Sequence, residues 1–311
     1  MAPKKSLWDF MSEVKLVVKP HSRHFHILCL IFLYPVCLSL LLSPTISNLF
    51  DYFFIKNSSS LLPPQTINPT FLLYSLFLSL FSNCGIITII YSVFHFSHNQ
   101  PVNLPSTIKS ISTSFLPLLA TTIVSQLIFF FISLFYGLLF ILLIHGAKLF
   151  HLTVLPHSSP FILGFLILLP IIVVQTYLEV NWILASVIVV VESCWGMEPL
   201  RRSAKLIKGM KGVALSCIFF YGFSGLIMVL NLLYLTRGHD GFTESWFAAV
   251  LKWVLILLGS YTQAIIMFSR IALITVLYIY CKANNVEIAE EFGKEYVSLP
   301  FHDDGKVSQI V

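Results

Sequence analysis

Charge is scarce in this chain, and the scarcity decides its class. Only 11% of the 311 residues are Asp, Glu, Lys or Arg, 57% are hydrophobic, and mean hydropathy is +0.87. A soluble domain carries roughly a quarter charged residues, so a water-soluble fold is excluded. Strict apolar–polar alternation is missing as well, which excludes a membrane β-barrel. Several apolar runs exceed the ~18 residues expected of a membrane helix, and lipid requires their backbone groups to pair internally. The predicted fold class is all-α: a polytopic membrane protein of about six transmembrane helices, with short amphipathic interfacial helices.

Catalytic signatures are missing too. There is no GxSxG, no P-loop and no Rossmann glycine pattern in a strand-to-helix context, so an enzyme is not expected. Cys29, Cys37, Cys84, Cys194, Cys217 and Cys281 form no CxxC pair, which argues against a zinc site or a disulfide framework. Cys194 and Cys281 fall at expected cytoplasmic ends, where palmitoylation is the alternative to a buried thiol. His95 and His98, and the cluster His21, His24 and His26, lack the further ligands that a metal needs. No metal and no cofactor is expected.

What is present is organised as six apolar runs, at about 25–44, 70–96, 113–143, 160–192, 213–235 and 246–281. Residues 1–24 form an amphipathic N-terminal segment, 25–281 the six-helix domain and 282–311 a polar tail expected to be mobile. The first run is too long for a signal-peptide core and lacks a small-residue cleavage site, so it reads as a signal anchor. Asp9 and Glu13 argue against a transit peptide. Within residues 5–19, Leu7, Phe10, Met11, Val14 and Val18 share one helical stripe, as expected of a helix lying on a membrane surface.

Basic residues set the orientation. Fourteen of the nineteen Lys and Arg residues fall in one alternate set of loops and termini. Three (Lys56, Lys148, Arg237) fall in the other, and Lys252 and Arg270 lie inside the sixth run. Both termini are therefore expected to be cytoplasmic, in an endomembrane (ER or Golgi) or plasma membrane. The glycosylation sequon Asn57-Ser58-Ser59 falls on the opposite side. Interfacial helices near Leu7, Pro105 and Pro199, spaced about 95 residues apart, suggest three helix-plus-hairpin repeats.

The most informative stretch is Trp182–Gly212. An apolar run ends at Glu192, and Pro199 suits the first turn of a helix. Leu200, Ser203, Ala204 and Ile207 then share one face, while Arg201, Arg202, Lys205 and Lys208 share another and Lys211 follows. Gly209 and Gly212 are natural stops. The basic face is expected to contact anionic headgroups, although a plain orientation signal would look the same.

Trp182, Leu184 to Val187, Glu192, Trp195-Gly196, Arg202-Ser203 and Leu206 to Gly209 together resemble the central motif of a plant family of uncharacterised six-span transmembrane proteins. The segment Phe292 to Pro300 is similar to that family's tail motif, with Lys294 and Ser298 departing from it. A more distant similarity is to the membrane region of bacterial glycerophosphodiester phosphodiesterases. Their catalytic domain has no counterpart here, so that activity does not carry over.

Charged residues inside a bilayer are costly and mark candidate sites. Counted from their helix ends, Glu179 and Arg270 lie at a similar depth, roughly 16–20 Å, and are expected to pair. The pair would lock the bundle or line a polar cavity. Glu192, at a helix end, is expected to anchor the basic helix through Arg202 or nearby N–H groups. Asn83, Gln126, Gln175, Asn181, Asn231 and Gln263 are expected to bond between helices.

Two functions fit these residues. One is a non-enzymatic membrane organiser or adaptor holding anionic lipid on its basic helices, with membrane lipids, possible protein partners or self-association, and no nucleic acid. The other is a small transporter or lipid-binding carrier built around Glu179 and Arg270. Broken helices at midplane would favour the second. Pro117 and Pro170 are the candidate break points in the sequence.

Overall fold

The structure is a computed structural model that describes residues 6–43, 69–149, 160–237 and 246–298. It is 93% helical and has no strand among the described residues. Six of its helices are long and apolar enough to cross a membrane: Leu7–Ser43, Leu73–Ser97, Leu104–Leu142, Leu169–Glu192, Lys211–Asn231 and Val250–Asn284. The all-helical, six-span architecture is thus established. Asn57 lies outside the described residues.

The first span is built from pieces. Helix α1 (Leu7–Val18) starts at Ser6, whose N–H donates to Asp9 Oδ2 at 2.7 Å. A 3₁₀ turn at Lys19–His21 leads into α2 (Ser22–Leu28), a π-helical turn (Cys29–Leu33) and α3 (residues 34–43). Pro35 explains the widened turn. It has no N–H for the carbonyl four residues back, and its ring would clash there, so one looser turn accommodates it. Gly85 sits against that turn. A Cβ added to it would meet Leu33 Cδ2 at 3.0 Å and Phe32 Cβ at 3.2 Å.

The remaining helices are α4 (Pro69–Ser97), α5 (Leu104–Leu149), α6 (Pro160–Trp182), α7 (Ala185–Glu192), α8 (Met197–Leu206), α9 (Lys211–Arg237) and α10 (Trp246–Ser298). The core gathers where α1, α4, α7 and the later part of α10 meet, around Phe10, Ile90, Val187, Ile188, Leu277 and Tyr278, all fully buried. Elsewhere the surface is apolar. Phe131 and Phe135 of α5, Phe219 and Phe223 of α9, and Trp246 and Phe247 of α10 are exposed. Such all-round apolar helices suit lipid.

Several expectations change. The Leu7, Phe10, Met11, Val14, Val18 stripe of α1 packs on the bundle core, with Phe10 and Val14 buried. Trp8 and Leu16 are the large apolar residues this helix exposes. Pro105 opens no separate interfacial helix, because α5 runs unbroken from Leu104. A proline in a first helical turn displaces no hydrogen bond, so nothing separates that turn from the span. α1 and α8 are distinct short helices before a span while the Pro105 segment is not, so three like units are not formed among the described residues. α10 continues past the last apolar run into the polar tail as far as Ser298. Its stretch from Glu287 to Phe292 (EIAEEF) is made of good helix formers.

Candidate functional site

The fourth span is broken. α6 stops at Trp182, α7 restarts at Ala185, and Ile183 and Leu184 form a turn between them. A break in lipid frees backbone groups that must find partners, and α8 supplies one. The Ser203 hydroxyl donates to the Asn181 carbonyl at 2.6 Å and accepts from the Leu184 N–H at 3.2 Å. Ser203 is fully buried, on the same face as Leu200 and Ile207. The apolar stripe of α8 therefore seats on α6 and α7 and closes the gap in their hydrogen bonding.

The connection from α7 to α8 is tight. Ser193 adopts a left-handed conformation (φ 54°) with its N–H on the Val189 carbonyl at 3.1 Å. Gly196 has φ 76° and ψ −127°, a region that side chains disfavour. Its N–H donates to Thr121 Oγ1 at 3.1 Å, which ties the loop to α5. Trp195 is exposed. Gly209 ends a 3₁₀ turn (Ile207–Gly209) before α9.

Glu192 is a hub. One carboxylate oxygen accepts from Tyr278 Oη at 2.7 Å and Lys282 Nζ at 3.0 Å, and the other from Arg202 at 2.8 Å. It thus ties α7 to both α8 and α10. Arg202 also pairs with Glu198 at 2.7 Å. The Glu192 hydrogen bond pushes the Arg202 guanidinium above its ordinary range, so its charge is committed to this cluster. Arg201, Lys205 and Lys208 are exposed, whereas Lys211 is half-buried with its ammonium 5.3 Å from the Tyr177 ring centroid.

Beside the break lies a cavity of about 310 Å³, walled by α4, α5, α6, α7, α8, α9 and α10. Its apolar lining includes Ile86, Ile90, Leu118, Phe129, Trp182 and Ile271. Its polar lining is Glu179, Arg270, Thr121, Thr122, Ser125 and Ser186. The expected Glu179–Arg270 ion pair is not formed: no such contact within 4.0 Å occurs among the described residues. Both residues line the cavity, and both are exposed. Depth along a helix does not set direction around it.

The amides do little between helices. Asn83 and Asn181 donate to carbonyls one turn back, at 2.9 and 2.7 Å. Among the described residues, Gln175 alone of the expected set reaches another helix, at Ser133 Oγ (3.4 Å). Interhelical bonding falls to small hydroxyls and tyrosines: His24 with Ser92 (3.1 Å), Ser92 with Thr107 (3.5 Å), and Tyr221 with Ser269 (3.0 Å). His21 stacks on Phe96, while His95 and His98 bond to carbonyls of their own helix. None of the six cysteines is in a disulfide. Cys281 is buried and Cys194 half-buried.

Sequence reasoning missed Ser203 as a functional group, along with Trp182, Tyr278 and Lys282. A signal existed for three of these positions. A serine at a buried stripe position between Leu200 and Ile207 needs a partner, and Tyr278 and Lys282 are four apart, one above the other on a helix face.

Fold and site together define an all-helical protein of six potential spans, with one broken span beside a charged cavity. Residues 6–292 match the family described as Domain of unknown function (DUF8558), and the chain belongs to that family. No curated protein and no solved structure matches it.

Proposed function

We propose that this chain is a multi-pass integral membrane protein that binds a lipid-like amphiphile in its cavity, as a carrier rather than an enzyme. The observation that carries this reading is the cavity itself. Glu179 and Arg270 line one space without pairing to each other, beside an interrupted helix. Unpaired charges at membrane depth are expensive unless a ligand or water meets them, and binding sites of membrane carriers gather at discontinuous helices. Its size falls at the small end of ligand sites, roughly 300–1,000 Å³. The strong bias of Lys and Arg toward one set of loops supports cytoplasmic termini, in an endomembrane or the plasma membrane.

The organiser reading is supported by the exposed face of Arg201, Lys205 and Lys208, with Trp195 and Met197 exposed nearby. Such a face suits an anionic membrane surface. Native mass spectrometry of the gently purified protein separates the two readings. The carrier predicts one stoichiometric lipid-sized adduct, lost in Glu179→Gln/Arg270→Gln at unchanged melting temperature. A wild-type protein with no such adduct, but with partners or self-association, would sink the carrier and leave the organiser.

A further inference from the structure

The charges around the cavity are balanced and separated. Its lining holds one acid, Glu179, and one base, Arg270, and no other Asp, Glu, Lys, Arg or His. A purely anionic ligand would leave Glu179 facing it uncompensated, and a purely cationic one would do the same to Arg270. A ligand carrying both charges meets both.

The acid and the base of the cavity offer unlike chemistry. Glu179 and Trp182 are three apart on α6 and so share a helix face. The Trp182 ring meets Phe129 edge to face, with centroids 5.5 Å apart at 64°. A carboxylate beside aromatic rings is how proteins hold ammonium groups. The α5 wall adds acceptors. Thr121 and Thr122 donate their hydroxyl protons to carbonyls of their own helix at 2.9 and 2.8 Å, and Ser125 does so at 2.8 Å. Thr121 Oγ1 also accepts from the Gly196 N–H, which leaves Thr122 and Ser125 as the acceptors on this wall. Arg270 alone offers a fork of donors, the geometry that matches a phosphate.

We propose that the cavity selects an ammonium–phosphate zwitterion, with the ammonium at Glu179, Trp182 and Phe129 and the phosphate at Arg270. This rests on the reading that the cavity holds a ligand, and it takes the headgroup of a bilayer lipid as the source.

The test is native mass spectrometry titration of the full chain in detergent, with three probes. Dioleoylphosphatidylcholine carries both charges. Dioleoylphosphatidylglycerol keeps the chains and phosphate but lacks the ammonium, and phosphocholine is the soluble headgroup alone. Wild type should prefer the choline lipid over the glycerol lipid by about tenfold. Glu179→Gln and Trp182→Leu should each bring that ratio toward one, and Arg270→Gln should weaken both lipids. Melting temperature checks each variant; if Glu179→Gln misfolds, Trp182→Leu decides. Equal or better binding of the glycerol lipid by wild type overturns the zwitterion while leaving a cavity ligand standing. A choline preference that survives in a folded Glu179→Gln or Trp182→Leu protein overturns it too. Phosphocholine bound without either lipid keeps the zwitterion and removes the lipid source. No stoichiometric binding of any probe overturns both the zwitterion and the cavity reading.

Discussion

Ser203→Ala should be among the most damaging single-atom deletions in the protein. The hydroxyl it removes serves two backbone groups at once, the Asn181 carbonyl at 2.6 Å and the Leu184 N–H at 3.2 Å. Ser203 has no exposed surface, and Asn181 is 7% exposed. Leaving a buried polar group without a partner costs about 1–3 kcal/mol, so two such groups give about 2–6 kcal/mol before relaxation. Hydrogen bonds in membrane proteins average nearer 0.6 kcal/mol, because the unfolded reference in the membrane finds other partners. That average describes side chains that can re-pair within a regular helix. The groups here lie at a break, and their own helix offers them no i,i+4 partner. We expect about 2–3 kcal/mol, from the lower half of the orphaned-group range. Ser216→Ala is the control: its hydroxyl bonds the Gly212 carbonyl at 3.0 Å on an exposed face of α9, so its loss should be nearly silent. Equilibrium unfolding in mixed micelles gives both values, and hydrogen exchange at the Leu184 amide reads the contact directly. A Ser203→Ala protein within ~0.5 kcal/mol of wild type, the range of neutral surface changes, with Leu184 still protected, would refute this account of the break.

Three backbone and hub positions give sharper local tests. Tyr278→Phe deletes the hydroxyl that reaches Glu192 at 2.7 Å and should cost about 1–2 kcal/mol, as for hydrogen bonds to charged acceptors; a double-mutant cycle with Glu192→Gln should show coupling, and additive losses would contradict the hub. Gly196→Ala should cost about 1–3 kcal/mol from backbone strain alone, since no atom lies within 4 Å of the added Cβ. Gly212→Ala has the same open space in a helix and should be neutral or slightly stabilising in the same melt. Gly85→Leu must displace Leu33 and Phe32 and should lower stability by at least the ~1–3 kcal/mol of core overpacking; a melting point equal to wild type would mean that the π-helical turn shifts freely. Replacing Arg201, Arg202, Lys205, Lys208 and Lys211 with Gln should weaken binding to vesicles containing anionic lipid, more so at low salt. Arg202→Gln alone should contribute least, because Glu192 and Glu198 already engage it. Vesicle binding unchanged in the fivefold variant would leave the basic face as an orientation signal.

The six spans were legible because lipid leaves a long apolar run only one fold. The break was not. Trp182, Ile183, Leu184 and Ala185 include no glycine or proline, and nothing local stops the helix there. It is held by Ser203, nineteen residues past Leu184. Pro117 and Pro170, which local chemistry marks as break points, lie inside continuous helices. Membrane helices tolerate proline because neighbouring groups re-satisfy the freed carbonyl. Thr121, one turn beyond Pro117, donates to the Pro117 carbonyl at 2.9 Å, and its oxygen also receives the Gly196 N–H, which packs this part of α5 against the α7–α8 loop. Glu179 and Arg270 were found by counting along helices, which brought both to one cavity. The count carries no azimuth, and the ion pair expected from it does not form.

The motif between Trp182 and Gly209 acquires a joint explanation from this geometry. Trp182 faces the cavity, and the turn after it is the break. Ser203 satisfies the break, and Leu200 and Ile207 seat the helix that carries Ser203. Gly196 lets the chain reverse tightly enough for α8 to lie back along α7, and Glu192 with Arg202 closes that reversal while Tyr278 and Lys282 join it to α10. A plain orientation signal needs the positive charges alone and would tolerate any order of residues between them. The buried serine, the left-handed glycine and the shared carboxylate are costly for such a signal and useful for a rigid wall. The motif is therefore better understood as the scaffold of the cavity, and damage at Ser203 should reach binding of the proposed ligand even though Ser203 is not among the cavity-lining residues.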